Sequence, residues 1–390
     1  MNRNRHLSPI KQVTRRSSGN LYAWDLLLLI VAPRNREPWG EQSVLHAPVN
    51  ISGTATELVE GLRVRGIGSD AVFWKSHPFW PTDGYVVHRN CHRILFFFVA
   101  LRHYSVFHFY YGLSLLPRNV DLPILRLLGK RIFMNYVGSD ARITSLDVRR
   151  NPYATLYFGN VGDKNHPSED ARKLRRLRWH ALWATAAISG PSIRLYLEGV
   201  YASDRFRSDL RINNLAAWRH TAPIRANVSS GTPECRQNAV VHVVHAPSNP
   251  LIKGTDAVRA AILQLQREMP ELRYTELTGV ASAAVVESLA SADIVVDQLL
   301  LGGIGTLAWE AMLLGKPVVA HITDQHYAQD FMEGSICRAT VDNLIDVLRR
   351  LAKSEHARQV FGDTGRLFAE SELEPDRLDS ELIHMYLHWK

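Results

Sequence analysis

The sequence predicts an α/β protein made of two doubly wound parallel sheets, and three observations carry that expectation. Short β-branched runs alternate with amphipathic helical stretches in both halves of the chain. The length of 390 residues suits two domains of ordinary size, each with its own core. Residues 293–322 then give strand, glycine loop, helix and strand in unbroken succession, a parallel βαβ unit. Two such halves are expected to face a central cleft, where open sheets of this kind take their ligands.

Taken in order, residues 26–32, an unbroken apolar run after Asp25, read as the first buried strand. Asn50-Ile51-Ser52-Gly53-Thr54 opens a helix whose apolar positions include Leu58, Val59 and Leu62, and Gly66 ends it. Strands are expected at 71–74, 106–110 and 131–136, with a helix over 87–104. Residues 150–235 give no regular pattern, because Asn151, Pro152, Gly159, Gly162, Pro167, Gly190 and Pro191 interrupt it. A second alternation starts at 239–245, continues with helices over 256–269 and 283–290, and turns helical after Asp342. The boundaries drawn are a basic tail over 1–20, a Rossmann-like domain over 21–215, a second over 216–374, and a C-terminal helix over 375–390 packing back on the first domain.

Composition narrows the function classes. A hydrophobic fraction of 46% and a charged fraction of 22% are those of a globular protein. Cys91, Cys235 and Cys337 are far apart and form no CxxC pair, which argues against a disulfide framework and suits a reducing cytoplasm. The longest apolar runs fall well short of the ~20 residues of a spanning helix, and no signal-peptide pattern opens the chain. The formal charge is +8, and Arg3, Arg5, Lys11, Arg15 and Arg16 precede the first acid, Asp25. A second basic cluster runs from Arg172 to Arg178. Such surfaces suit an anionic membrane face or a phosphorylated substrate, or are simply solvated; no nucleic-acid-binding signature accompanies them. His88 and His92 have no third ligand at metal-site spacing and no Asp-x-Asp pair stands out, so neither a metal nor a further cofactor is expected.

The chemistry concentrates in the second half. Gly302, Gly303 and Gly305 follow a strand and precede a helix, where backbone N–H groups and the helix N-terminus favour a phosphate. Glu310, about one and a half turns into that helix, is placed for a ribose hydroxyl, or pairs with Lys316. A nucleotide-sugar site is what this unit predicts. Val240–Val244 ends in His245, followed by Ser248 and Asn249, and Lys253-Gly254-Thr255-Asp256 begins the next helix with Thr255 as its expected N-cap. Lys253 at that entrance can neutralise a diphosphate. Asp297 and Gln298 lie just before the glycine loop and can reach the same ligand or cap the loop.

These motifs resemble the nucleotide-binding half of GT-B-fold glycosyltransferases, particularly the family-4-like retaining group. The resemblance rests on Lys253-Gly254-Thr255-Asp256 and on the run from Gly303 through Glu310 to Gly315-Lys316-Pro317. It implies a GT-B architecture, transfer of a sugar from a nucleotide-diphosphate sugar with retention, and no metal at that step. Lys253, Gly303, Gly305, Thr306 and Glu310, with Ser248 and Asn249 beside them, become the donor-binding candidates. Asn50-Ile51-Ser52-Gly53 resembles the acceptor-side glycine loop, and 106–112 and 136–140 resemble the strand ends across the cleft. Asn50, Ser52, Gly53 and Tyr111 are the acceptor-binding candidates, and Asp140, with Lys253, the catalytic ones. Asp140 either orients an acceptor hydroxyl or makes an Asx-turn.

Three positions depart from the family pattern. Gly302 stands where the first motif acid falls, Ser248 where an arginine is common, and Val137 where a histidine is common. His245, Asn249, Arg219 and Arg225 are the candidates to replace the missing cation. The expected activity is glycosyl transfer to a cell-surface glycan or lipid-linked acceptor, in the cytoplasm at the inner membrane face. A catalytically silent scaffold of the same fold is the alternative, and a nucleotide-sugar epimerase a third reading.

Overall fold

The computed structural model describes residues 10, 19–31, 43–77, 84–157, 163–228, 240–323 and 330–389. Most of the basic tail and Cys235 therefore lie outside the described residues. The chain forms two compact units. The first takes residues up to Arg142, then Ala171–Asn213 and Pro375–Lys390; the second takes Ile143–Asp170 and Asn214–Glu374.

The first unit holds an eight-stranded sheet: β1 (Gly19–Asn20), β2 (Ser43–Ala47), β3 (Gly68–Phe73), β4 (Tyr85–Val86), β5 (Val106–Tyr110), β6 (Arg131–Tyr136), β7 (Ala186–Ser189) and β8 (Phe206–Arg207). Its order is β1-β4-β3-β2-β5-β6-β7-β8, and every pairing is parallel. Strand β5 is buried along its whole length, as a strand covered on both faces must be. Helices α1 (Ala23–Val31), α2 (Thr54–Val64), α3 (Asn90–His103) and α4 (Asp170–Trp183) pack around this sheet.

The expected strand over 26–32 is corrected: residues 26–31 belong to α1, and residue 32 lies outside the described residues. Leucine is a strong helix former, and Leu26 and Leu29 are buried while Leu27 and Leu28 are exposed. That three-residue spacing is helical; an unbroken apolar run hides it. The strand sought there is β2, whose short run includes His46. By contrast α2, β5 and β6 lie where the periodicity puts them, and β3 starts three residues before the expected strand.

In the second unit β9 (His242–His245), β10 (Arg273–Glu276), β11 (Ile294–Val296), β12 (Val318–Ala320) and β13 (Cys337–Arg338) form a parallel sheet in the order β10-β9-β11-β12-β13. Its helices include α5 (Leu215–Val228), α6 (Thr255–Glu268), α7 (Thr306–Leu313) and α8 (Glu355–Glu372). One core layer joins α7 and α8 through Trp309, Met312 and Phe368; the other joins α6 to the sheet through Val258, Ile262 and Leu265. Helix α9 (Pro375–His388) then returns to the first unit, where Arg65 donates to the carboxylates of Asp376 and Asp379.

Candidate functional site

Within the second unit the predicted donor residues converge at the carboxyl ends of β9 and β11. Lys253 sits where a short helix, Pro250–Lys253, meets α6, and Asn249 caps that helix by accepting the Ile252 amide. Gly254 turns the chain at φ +76°, and a Cβ there would lie 3.2 Å from Leu300 Cγ. Gly254, not Thr255, is thus the N-cap of α6. The Thr255 hydroxyl faces His245 Nε2 at 2.9 Å instead.

The Lys253 ammonium donates to Asp297 Oδ1 at 2.7 Å and to Gln298 Oε1 at 2.8 Å. The other Asp297 oxygen accepts the Gly305 amide at 2.5 Å, and Gln298 Nε2 donates to the Gly303 carbonyl. Asp297 is fully buried, so strand end, lysine and glycine loop form one charged knot. A Cβ on Gly305 would stand 2.7 Å from Lys253 Nζ, so a side chain there would displace the ammonium from the knot. An ammonium has three donors, and these contacts use two. Thr306 is the first residue of α7, so the loop delivers a helix N-terminus to the same place.

Glu310, one turn further, is buried on α7 and accepts from His220 Nδ1 at 3.1 Å. Its partner is thus His220 of α5 rather than Lys316. Burial pushes the Glu310 carboxyl up, the His220 ring opposes that, and the negative charge of nearby Asp297 adds to it. No motif signals His220, which sits on a helix from the irregular stretch and meets Glu310 only through tertiary packing.

Two of the candidate replacements for the missing arginine, His245 and Arg225, have other work. His245 donates from Nδ1 to the Val296 carbonyl, and its Nε2 accepts from Thr255, so both ring nitrogens are used and burial lowers its pKa. Arg225 lies over the Trp218 ring at 4.1 Å and donates to the Trp218 carbonyl. Ser248 and Asn249 are exposed beyond β9.

Gly302 has a structural reason to be glycine. Its φ is +69°, and a Cβ would lie 2.8 Å from Thr323 Cγ2 and 3.4 Å from Asn151 Nδ2. Thr323 also lines a cavity of about 370 Å3 at the carboxyl ends of β12 and β13, with Arg150, Tyr153, His321, Arg338 and Asn343.

In the first unit the acceptor-side candidates lie at strand carboxyl ends. Ser52 and Gly53 both have positive φ, 53° and 80°, and Gly53 begins α2. Asn50 is 5% exposed, and neither atom of its side-chain amide has a hydrogen-bond partner. Tyr111, at φ +62°, holds its hydroxyl 2.7 Å from Ser139 Oγ. Asp140 is buried, and its Oδ1 accepts the amides of Gly138 at 2.7 Å and Val137 at 3.2 Å. Burial pushes its carboxyl up while those amides hold it down. Arg176 donates to the Asp140 carbonyl and Lys173 to the Arg142 carbonyl, so part of the basic cluster on α4 is structural. Asn213, unmarked in the sequence, binds the Thr54 hydroxyl, Asn135 and the Tyr136 carbonyl. A mainly apolar cavity of about 280 Å3, lined by Pro48, Trp74, Arg93, Ile94, Leu113 and Leu115, opens at this end of the sheet.

No family model matches the chain, and no curated protein matches it in sequence. Solved structures do. The chain is similar to sucrose-phosphate synthase from Thermosynechococcus elongatus, with a TM-score of 0.62 and 14% identity over 89% of this chain and 98% of that one. It is similar to HepE from Anabaena, determined in complex with UDP-glucose, at a TM-score of 0.56 and 11% identity over 88% and 99% of the two chains. The UDP-GlcNAc 2-epimerase from Neisseria meningitidis, bound to UDP-GlcNAc, gives 0.53 and 11% over 89% and 99%. These likenesses establish the fold: two parallel-sheet Rossmann-like units of the GT-B type.

Proposed function

We propose that this GT-B protein transfers a sugar, with retention, from a nucleotide-diphosphate sugar to an acceptor hydroxyl, in the synthesis of a cell-surface glycan or glycolipid. The observation that carries the reading is the knot of Lys253, Asp297 and Gly305 at the start of α7, with Glu310 one turn beyond. Bond breaking at the sugar C1 loads negative charge onto the departing diphosphate. The remaining Lys253 donor and the α7 N-terminus, preorganised by Asp297, oppose that charge where it develops. Glu310 takes the ribose hydroxyls. The nucleotide sugar is the co-substrate, and the reading assigns no metal or further cofactor.

On the acceptor side, the unpaired Asn50 amide is offered to the acceptor, and Ser52, Gly53 and Tyr111 shape the loop ends around it. Asp140 orients that wall by holding its loop amides. The apolar cavity beside Trp74 and Leu113 favours an acceptor with an apolar portion, which suits a lipid-linked glycan. The protein then works as a peripheral component of an anionic cytoplasmic membrane face.

A second reading, a silent binding scaffold, is favoured by the hold of Asp297 on both Lys253 and the Gly305 amide, since a diphosphate must share them. Thermal melting against UDP-, GDP-, ADP- and dTDP-sugars separates the two. A ligand at a hundred times its dissociation constant stabilises the native state by ~2.7 kcal/mol. A shift with one nucleotide class, lost in Lys253→Ala and Glu310→Ala, supports the donor site; no shift with any favours the scaffold. Conversion of the bound sugar to its epimer without an acceptor would replace transfer with epimerisation.

A further inference from the structure

We infer that the outer face of α1, together with the exposed edge of α3, is the surface that docks on an anionic lipid bilayer. The inference deepens the peripheral attachment proposed above and rests on it. Helix α1 is apolar on both sides. Leu26 and Leu29 face the core, while Trp24 is 72% exposed and Leu27 and Leu28 are exposed beside it. Tyr22, just before the helix, is exposed as well. The single charge of α1, Asp25, turns inward and accepts the Tyr22 amide at 3.0 Å. A surface helix of a water-facing protein carries polar residues outward, and this one does not.

Helix α3 extends the patch. It packs beside α1, with the His103 ring on the Leu29 carbonyl, and exposes Ile94 and Phe98 one turn apart. Because β1 pairs in parallel with β4, and α1 and α3 each follow their strand, both helices start at the carboxyl end of the sheet. Ile94 also lines the apolar cavity there, so the patch leads to the acceptor side.

Charge decides the occupant. Residues 84–120 contain no acid, and Lys75, Arg89 and Arg102 are exposed near the patch. The sequence before Asp25 adds five more cations and no acid. Aromatic residues at headgroup depth, leucines below them and basic residues around the rim are what binding to an anionic bilayer surface requires.

Flotation of the full chain with vesicles of equal parts phosphatidylcholine and phosphatidylglycerol tests it. The chain should float with these and not with pure phosphatidylcholine. Trp24→Gln combined with Leu28→Gln should weaken partitioning by about tenfold or more, while Leu182→Gln, an exposed leucine on α4, should not. The melting temperature and its shift with nucleotide sugar should be unchanged in both variants. If the double variant floats like the parent, the assigned face is wrong and the attachment stands. If the parent floats with neither vesicle, attachment and face both fall, while the nucleotide shift still reports on the donor site. A mass in solution that halves on Trp24→Gln would give the face to a second copy and overturn the lipid assignment.

Discussion

Replacing Gly302 by alanine asks whether the missing motif acid is a loss or a requirement of this backbone. At φ +69° an L-residue costs about 1–2 kcal/mol. The added Cβ would stand 2.8 Å from Thr323 Cγ2, against the ~3.5–4.0 Å of an ordinary carbon contact. Forcing that overlap into a packed site costs a further ~1–3 kcal/mol, so Gly302→Ala should destabilise by roughly 2–5 kcal/mol. Thr323→Ser removes the methyl and leaves the backbone in place. In that background the same substitution should cost only the ~1–2 kcal/mol of the backbone, a coupling of about 1–3 kcal/mol. Urea unfolding followed by tryptophan fluorescence reads this, and Trp309, buried on the helix after the loop, is a suitable reporter. A cost below ~0.5 kcal/mol, or no recovery with Thr323→Ser, would refute the steric account. Gly302→Glu should then fail to restore the family pattern, at a cost at least as large.

Four further outcomes are expected. Burial lowers the His46 and His180 rings to about 3, and holds His108 well below its ordinary value. Below pH ~6.5 the unfolded chain takes protons these rings refuse, so stability should fall as pH drops, by up to ~1.4 kcal/mol per pH unit for each ring. Melting that stays flat from neutral pH to about pH 5 would contradict this. Glu310→Gln removes a buried carboxyl whose pKa is raised, so it should leave stability at neutral pH equal or higher while abolishing the nucleotide-sugar shift; a retained shift would remove Glu310 from the donor site. Arg65→Ala leaves Asp379 buried without its cation and should destabilise by about 1–3 kcal/mol, seen as a lower melting temperature. Asn50→Ala should lower turnover with acceptor and leave nucleotide binding intact; unchanged transfer kinetics would exclude Asn50 from the acceptor side.

What the sequence made legible was the part governed by local rules. Gly53, Gly254 and Gly302 carry positive φ at turns that glycine announces, and β5, β6 and α6 follow from period and composition. Lys253, Asp297 and the loop meet because all three end or begin elements of one parallel sheet. Where tertiary context decides, the reading failed. Residues 26–31 hold a helix because one side packs on α3, a fact no apolar run reveals. β7 and β10 are short and lie among breakers or charges. The Glu310–His220 pair joins helices 90 residues apart in sequence, which spacing cannot disclose.

Helix α9 also bears on how the chain is made. Leu382, Met385 and Tyr386 are buried in the first unit, and the Tyr386 hydroxyl meets the ring of His108 on β5. Yet the 161 residues from Asn214 to Glu374 are translated between the rest of that unit and this helix. At ~5–20 residues per second the growing first unit waits roughly 8–32 s on the ribosome with its apolar groove open. The unit begun first is therefore finished last.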